Sequence, residues 1–300
     1  MMLILLLLTA ITWDAPASGQ EAPLVRPGDS VWMVDTREVT RPTAADPGMQ
    51  LRVIREGGWI DTDVDCLMHD SAPTRTVLFV HGYDFSPHKA GRMTWEVYHA
   101  LTASLPPDQN LRFITWSWPS TAVKFRPLRD MKAKMKRADT EAYFLAWFLS
   151  RVNVDTVVGT SLGARVVSGS LQFLATDAPT LNTEIDGSMR RERLTAVLIS
   201  AAIGAEGLQP TQRYGKALTQ LKQLILINNS LDPLLANFSL VSPADADALG
   251  VVGLSTAPLI DERMHIEQHD VAVSIGKQHG VEKYLQSPTT RALLQASVVA

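Results

Sequence analysis

The chain has 300 residues, 46% of them hydrophobic and 20% charged, with a formal net charge of -3. It is long enough to bury a full core in one large α/β domain, and its charge balance gives no argument for nucleic acid or an anionic membrane as a general partner. One cysteine, Cys66, excludes an intrachain disulfide and a cysteine-built zinc site; a lone thiol could serve as a nucleophile, but the expectation is an inert core or near-surface residue.

An apolar run from Met1 to Leu8 extends through Ile11 and Trp13, and small residues follow at Ala15, Ala17, Ser18 and Gly19. The run is shorter than the roughly 20 apolar residues of a spanning helix. It has the form of a secretory signal with a small-residue cleavage region, although no Lys or Arg precedes it. Residues 1–19 are therefore expected to be a signal peptide for export to the periplasm or beyond, or an N-terminal anchor if retained. The alternative is a buried N-terminal strand or helix. Residues 20–300 are expected to form a single domain.

"SVWMVDTREV" has the length and β-branched content of a strand, and "MQLRVIREGGWIDTD" reads as a strand pair around a Gly-Gly break. "TRTVLFVHGYD" carries a continuous apolar run ending in His-Gly, as a strand buried on both faces would. Then come a helix, "RMTWEVYHALTASL", and a strand closed by Pro119, "LRFITWSWPS". Residues 130–152 carry helical periodicity with Tyr143, Phe144, Trp147 and Phe148 on one face. "VDTVVG" is a strand, "SLGARVVSGSLQFLA" a helix, "RLTAVLISAAIG" a strand, "KALTQLKQ" helical and "LILIN" a strand. "MHIEQHDVAVSI" reads as the last strand and "SPTTRALLQASVV" as the last helix. Strands alternating with helices imply right-handed βαβ units and a mainly parallel central sheet flanked by helices.

"KFRPLRDMKAKMKR", residues 124–137, holds seven Lys or Arg. A solvated helix face after a Pro-containing loop is the plain reading, and a site for an anionic partner is the other. Residues 121–139 also form the one segment placed to act as a short cap.

"VVGTSLGARVV" sets Ser161 between Gly159 and Gly163, where an apolar strand turns into a helix starting near Leu162. GxSxG is short and occurs by chance, but strand, tight turn and helix together are the setting of a nucleophile elbow. Bulk two residues before or after the serine would strike the neighbouring strand and helix, hence the two glycines. The helix N-terminus offers backbone N–H groups and a partial positive charge to a developing oxyanion. In "LFVHGYD", Gly82 lets the backbone approach a substrate, and the N–H of Tyr83 is expected to join that of Leu162 as an oxyanion hole. His81 competes as a base, but its expected role is to fix this loop.

An acid is expected after a later strand. Asp232 in "LILINNSLDPLL" is the first candidate, with an N-cap before Pro233 as the alternative use, and Glu206 is the second. A base is expected after the last strand. His279 in "GKQHGVEKYL" occupies such a loop, while His265 and His269 fall inside the candidate strand and suit no metal there. His69, His88 and His99 are expected on the surface or in turns. No cofactor and no metal is expected.

The order Ser161, Asp232, His279 with the HG loop resembles the α/β-hydrolase superfamily over about residues 77–285. "LFVHGYDFSPHKA", "WSWPS", "GTSLGARVV", "NNSLDPLL" and "GKQHGVEKYLQSP" look like a bacterial branch of uncharacterised serine hydrolases within it. Thr160 departs from the superfamily, which often has His or Tyr before the nucleophile, and this changes a pocket wall rather than the chemistry. The resemblance implies an α/β-hydrolase fold and a Ser-His-Asp triad acting on an ester, thioester or amide of a small-molecule acyl substrate. A binding protein on the same fold and an acyltransferase with the same residues remain open, as does the oligomeric state. Tyr83, Phe85, Trp116 and Trp118 are expected to border the site and suggest an apolar acyl or aromatic group, with core packing at a strand end as the alternative for the two Trp.

Overall fold

The computed structural model describes residues 25–39, 48–55, 58–70, 75–123, 125–176, 193–245, 247–255 and 264–299. Residues 1–19, expected as a leader, lie outside them, as does Lys124. Nine strands are described: β1 Ser30–Asp35, β2 Gln50–Arg55, β3 Gly58–Thr62, β4 Arg75–Val80, β5 Leu111–Ser117, β6 Thr156–Thr160, β7 Leu194–Ile199, β8 Leu221–Asn228 and β9 His265–Asp270. The helices among the described residues are α1 Val64–His69, α2 Pro87–Thr102, α3 Pro127–Leu149, α4 Leu162–Ala175, α5 Leu249–Val252, α6 Ala272–Ile275, α7 Val281–Gln286 and α8 Pro288–Val299. None is long and apolar enough to cross a membrane.

The strands form one sheet in the order β3-β2-β1-β5-β4-β6-β7-β8-β9. β2 runs antiparallel to both β1 and β3, and every other pairing is parallel. The apolar runs explain the burial. Successive side chains of a strand point to opposite faces, so Val77 and Phe79 of β4 enter one core while Leu78 and Val80 enter the other. The first core holds Met93, Val97, Tyr98 and Leu101 of α2 with Leu294 and Val298 of α8. The second holds Phe144, Leu145 and Phe148 of α3 with Val166, Val167 and Leu171 of α4. All six residues of β7 are buried, as a strand covered on both faces requires.

This topology positions a site. The chain passes from β4 outward to β5 and then back across to β6 on the other side of β4. In an open α/β sheet, such a switch leaves a crevice outside the carboxyl ends of the strands. The loops following β4 and β6 both open there.

Two predicted elements differ. "KALTQLKQ" is helical only as a single 3-10 turn, Ala217–Gln220. Leu221 already pairs with Leu194 of β7 and is buried, and sheet pairing overrides the local helical pattern. The last strand stops at Asp270, and Ala272–Ile275 forms a short helix instead. The Asp270 carboxylate accepts from Ala272 N at 3.0 Å and Ser230 N at 3.2 Å, which turns the chain out of the sheet. Residues 121–139 consist of an irregular connection leading into the first half of α3.

Candidate active site

Ser161 lies between β6 and α4 with φ 52 and ψ -119. A non-glycine residue reaches this region only where the surrounding chain imposes it, commonly at sites of chemistry. The imposition is visible in the backbone. Ser161 N donates to Ile199 O at 2.9 Å, and Ser161 O accepts from Ala164 N at 3.0 Å and Ala202 N at 3.1 Å. The turn leaves no room at its flanks. A Cβ on Gly159 would lie 2.8 Å from Ala164 Cα, and one on Gly163 would overlap Val80 O. One on Gly82 would lie 2.9 Å from Ser161 Cβ, so the loop after β4 touches the serine directly.

The loop after β9 brings in the base. His279 Nε2 lies 3.0 Å from Ser161 Oγ, and its Nδ1 lies 2.6 Å from Asp232 Oδ2. The two uses foreseen for Asp232 coexist. Oδ1 accepts from Leu234 N at 2.9 Å and Leu235 N at 3.1 Å as a cap, while Oδ2 faces the imidazole. The carboxylate is fully buried. Burial raises its pKa, but the hydrogen bond and charge of His279, the Leu235 amide and the Ser200 hydroxyl together hold it below the ordinary 3.8. Asp232 is thus ionised at neutral pH.

Two residues that sequence reading missed complete this array. Ser200, at φ 49 on the end of β7, donates to Asp232 Oδ2 at 2.8 Å and lies 3.2 Å from His279 Nδ1. Asn229 donates from Nδ2 to Gly276 O at 2.9 Å and Gln278 O at 2.8 Å, tying down the loop that presents His279. The only sequence signal for either was position, since both follow the C-terminal end of a parallel strand.

The backbone N–H groups of Tyr83 and Leu162 have no acceptor among the described residues. They lie on the β4 loop and the first residue of α4, beside Ser161. The Tyr83 hydroxyl donates to Asp130 Oδ2 at 2.6 Å and so fixes this loop against the start of α3.

The remaining candidates lie elsewhere or do other work. Glu206 is exposed and accepts from Ser255 Oγ at 3.0 Å. His265 and His269 flank Glu267 on β9, at 3.1 and 3.5 Å. His69, His88 and His99 are exposed, and so is Cys66. Trp116 and Trp118 are fully buried and Phe85 is nearly so, so all three pack in the core, while Tyr83 is half-buried. Trp116 donates from Nε1 to Glu141 and Trp118 to His81 O.

His81 is stacked between Phe85 and Trp118, with ring centroids at 4.7 and 5.8 Å. Its Nδ1 lies 3.0 Å from Gly82 O, and its Nε2 accepts from Trp118 N at 3.2 Å. Both nitrogens are occupied, so the ring fixes the loop after β4. Burial, assisted by the Arg37 charge, lowers its pKa to about 3. An imidazole depressed in the fold is protonated first in the unfolded chain. Its contribution to stability is complete above 6.5 and is lost as pH falls from there toward about 3. The urea midpoint of the wild type should therefore fall, relative to that of His81→Gln, between pH 7 and 4. A constant difference would show that His81 is not held neutral.

The architecture is that of the α/β-hydrolase fold: a mainly parallel sheet covered on both faces, a serine on a strained strand-to-helix turn, and Ser, Asp and His in that order on later strand ends. No family model matches the chain, and no curated protein matches it. Among solved structures, it is similar to MGS-M1, an alpha/beta hydrolase enzyme from a Medee basin deep-sea metagenome library. The identity is 16%, 84% of this chain and 93% of that one are covered, and the TM-score is 0.32.

Proposed function

We propose that the protein is an exported serine hydrolase that cleaves an ester, thioester or amide through an acyl-enzyme. The observation that supports this reading most is the hydrogen-bonded chain Ser161 Oγ, His279 Nε2, His279 Nδ1, Asp232 Oδ2, with contacts of 3.0 and 2.6 Å. His279 takes the Ser161 proton as Oγ attacks the substrate carbonyl. The Tyr83 and Leu162 amides receive the oxyanion, a reading supported by their place beside Ser161 and by the lack of an acceptor for either among the described residues. His279 then returns the proton to the leaving group. Water, deprotonated by the same nitrogen, releases the acid and regenerates Ser161. Export rests on the leader-like residues 1–19.

The test is covalent labelling by a fluorophosphonate, which reports an activated serine whatever the natural acyl group. The wild type should label at Ser161 and Ser161→Ala should not. A wild type that stays unlabelled at high probe concentration, or labelling that survives the substitution, would sink the reading. A screen of soluble esters of rising chain length then defines the acyl group.

Ser200 acts in this scheme as a positioning residue for Asp232. A hydrogen bond to a charged group contributes about 1.5–3 kcal/mol. Ser200→Ala is accordingly expected to lower kcat by about 10- to 100-fold with KM unchanged, as for an interaction that matters chiefly in the transition state. A kcat unchanged in steady-state assays would mean that Leu234, Leu235 and His279 alone hold the carboxylate.

A further inference from the structure

The basic run at residues 124–137 divides in the structure. Lys134 donates from Nζ to Pro119 O, and Arg137 pairs with the buried Glu141 at 2.7 Å, so these two serve the fold. Arg126, Arg129, Lys132 and Lys136 are exposed, and the last three follow i, i+3, i+7 spacing along one stripe of α3. No exposed carboxylate offsets them within the segment. Asp130 is buried and accepts from Tyr83 and from Val123 N, Glu141 is buried, and Asp139 is engaged by Arg165 and Arg213. Asp84 is the exposed acid of the adjoining loop, and its Oδ1 accepts from Ala122 N at 3.1 Å.

Beside these cations stand large apolar side chains in water. Phe125 is 96% exposed, Val123 61% and Leu128 53%. Phe125 has φ 77, a region a phenylalanine seldom adopts. The apolar rim continues on the other side of Ser161. Leu231 and Leu234 flank Asp232 and are each 47% exposed, and Val273 follows β9 fully exposed. All of these lie on connections, or in the first turn of the helix that follows, at the C-terminal edge of the parallel strands, the edge that carries Ser161.

We propose that this edge docks on a bilayer surface bearing anionic headgroups, with Phe125, Val123 and Leu128 inserted and the four exposed cations set among the headgroups. Apolar side chains interleaved with Lys and Arg on one short segment are what such an interface takes, each component adding to the other. The net charge of -3 does not oppose it, because charges more than about 8 Å from the surface are screened at physiological salt. The docked segment is joined to the proposed oxyanion loop through Tyr83–Asp130 and through Thr121 Oγ1, which donates to Phe85 O at 3.0 Å. If the hydrolase reading holds, its substrates are amphiphiles carrying an acyl group and presented from the lipid surface.

The experiment is sedimentation of the full chain with phosphatidylcholine vesicles, with and without phosphatidylglycerol. Binding should require phosphatidylglycerol and weaken as salt is raised. Phe125→Asp should reduce partitioning by about tenfold or more, the value expected for losing one inserted aromatic. The fourfold Gln variant of Arg126, Arg129, Lys132 and Lys136 should abolish the lipid selectivity. Both variants should keep the thermal midpoint and the turnover of a short soluble ester. Ser161→Ala should bind vesicles as the wild type does, so failure of the hydrolase reading leaves docking intact and is seen separately by labelling. Equal binding to both vesicle types, unaffected by Phe125→Asp, would assign attachment to the apolar N-terminal run and overturn the proposal. No binding to either would leave the patch to a protein partner and overturn it equally.

Discussion

Ser161→Ala is expected to lower kcat for an ester substrate by on the order of 10⁴ to 10⁶ while leaving the fold in place. The size follows from what the side chain does. Its Oγ is the atom 3.0 Å from His279 Nε2, and no other hydroxyl among the described residues bonds that nitrogen. Removing it leaves only the proposed oxyanion amides of Tyr83 and Leu162 and whatever binding the rim provides, so a residual acceleration over water is expected to survive. The structural cost is small because the elbow is held through the backbone, by Ile199 O, Ala164 N and Ala202 N, all of which alanine retains. Alanine occupies φ 52 with about the same strain as serine. Thermal melts of the two proteins should therefore coincide within a few degrees while steady-state rates diverge. A rate reduced less than about tenfold would mean that another nucleophile, or none, operates here.

Much of this could be read from the sequence because the relevant signals were local. β4 and β6 to β8 are apolar runs long enough to be buried strands, and Gly159 and Gly163 mark the two close approaches on either side of Ser161. Asp232 and His279 were reachable because the fold assigns them to the ends of identifiable strands, although only the structure shows that one carboxylate serves both as cap and as partner of the imidazole. What stayed hidden depends on contacts distant in sequence. Ser200 matters because a positive φ turns its hydroxyl toward a residue 32 positions away, and no local pattern records that. Asn229 reaches Gly276 and Gln278, 47 and 49 positions on. Trp116 and Trp118 stood at a strand end near the site in sequence, yet Glu141 and His81 draw their indoles into the core. The basic run resisted for the same reason, since only the fold separates Lys134 and Arg137, which it uses, from Arg126, Arg129, Lys132 and Lys136, which it leaves exposed.

Asp232→Asn should be nearly as damaging as loss of the serine, with kcat lower by about 10⁴, the effect of a wrong imidazole tautomer. The orientation of the new amide is dictated by the cap. Leu234 N and Leu235 N need an acceptor at the Oδ1 position, so the carbonyl oxygen stays there and the NH₂ group takes the place of Oδ2. That NH₂ then faces His279 Nδ1 at 2.6 Å, where a carboxylate had accepted a hydrogen bond. Two donors cannot meet, so the imidazole carries its hydrogen on Nε2 and can no longer accept one from Ser161. The cap itself survives, and Ser200 Oγ can turn to accept from the amide. The loss should accordingly appear in kcat and in fluorophosphonate labelling far more than in the melting temperature at neutral pH. A second signature lies in acid. The Asp232 carboxyl is held below 3.8 in the folded chain, so the stability it contributes is present above that value and is lost as pH falls through the lowered one. Asparagine has no such proton. The wild type should therefore lose its stability advantage over Asp232→Asn as pH drops below about 4, and a kcat within about tenfold of wild type would move the acid role to another residue.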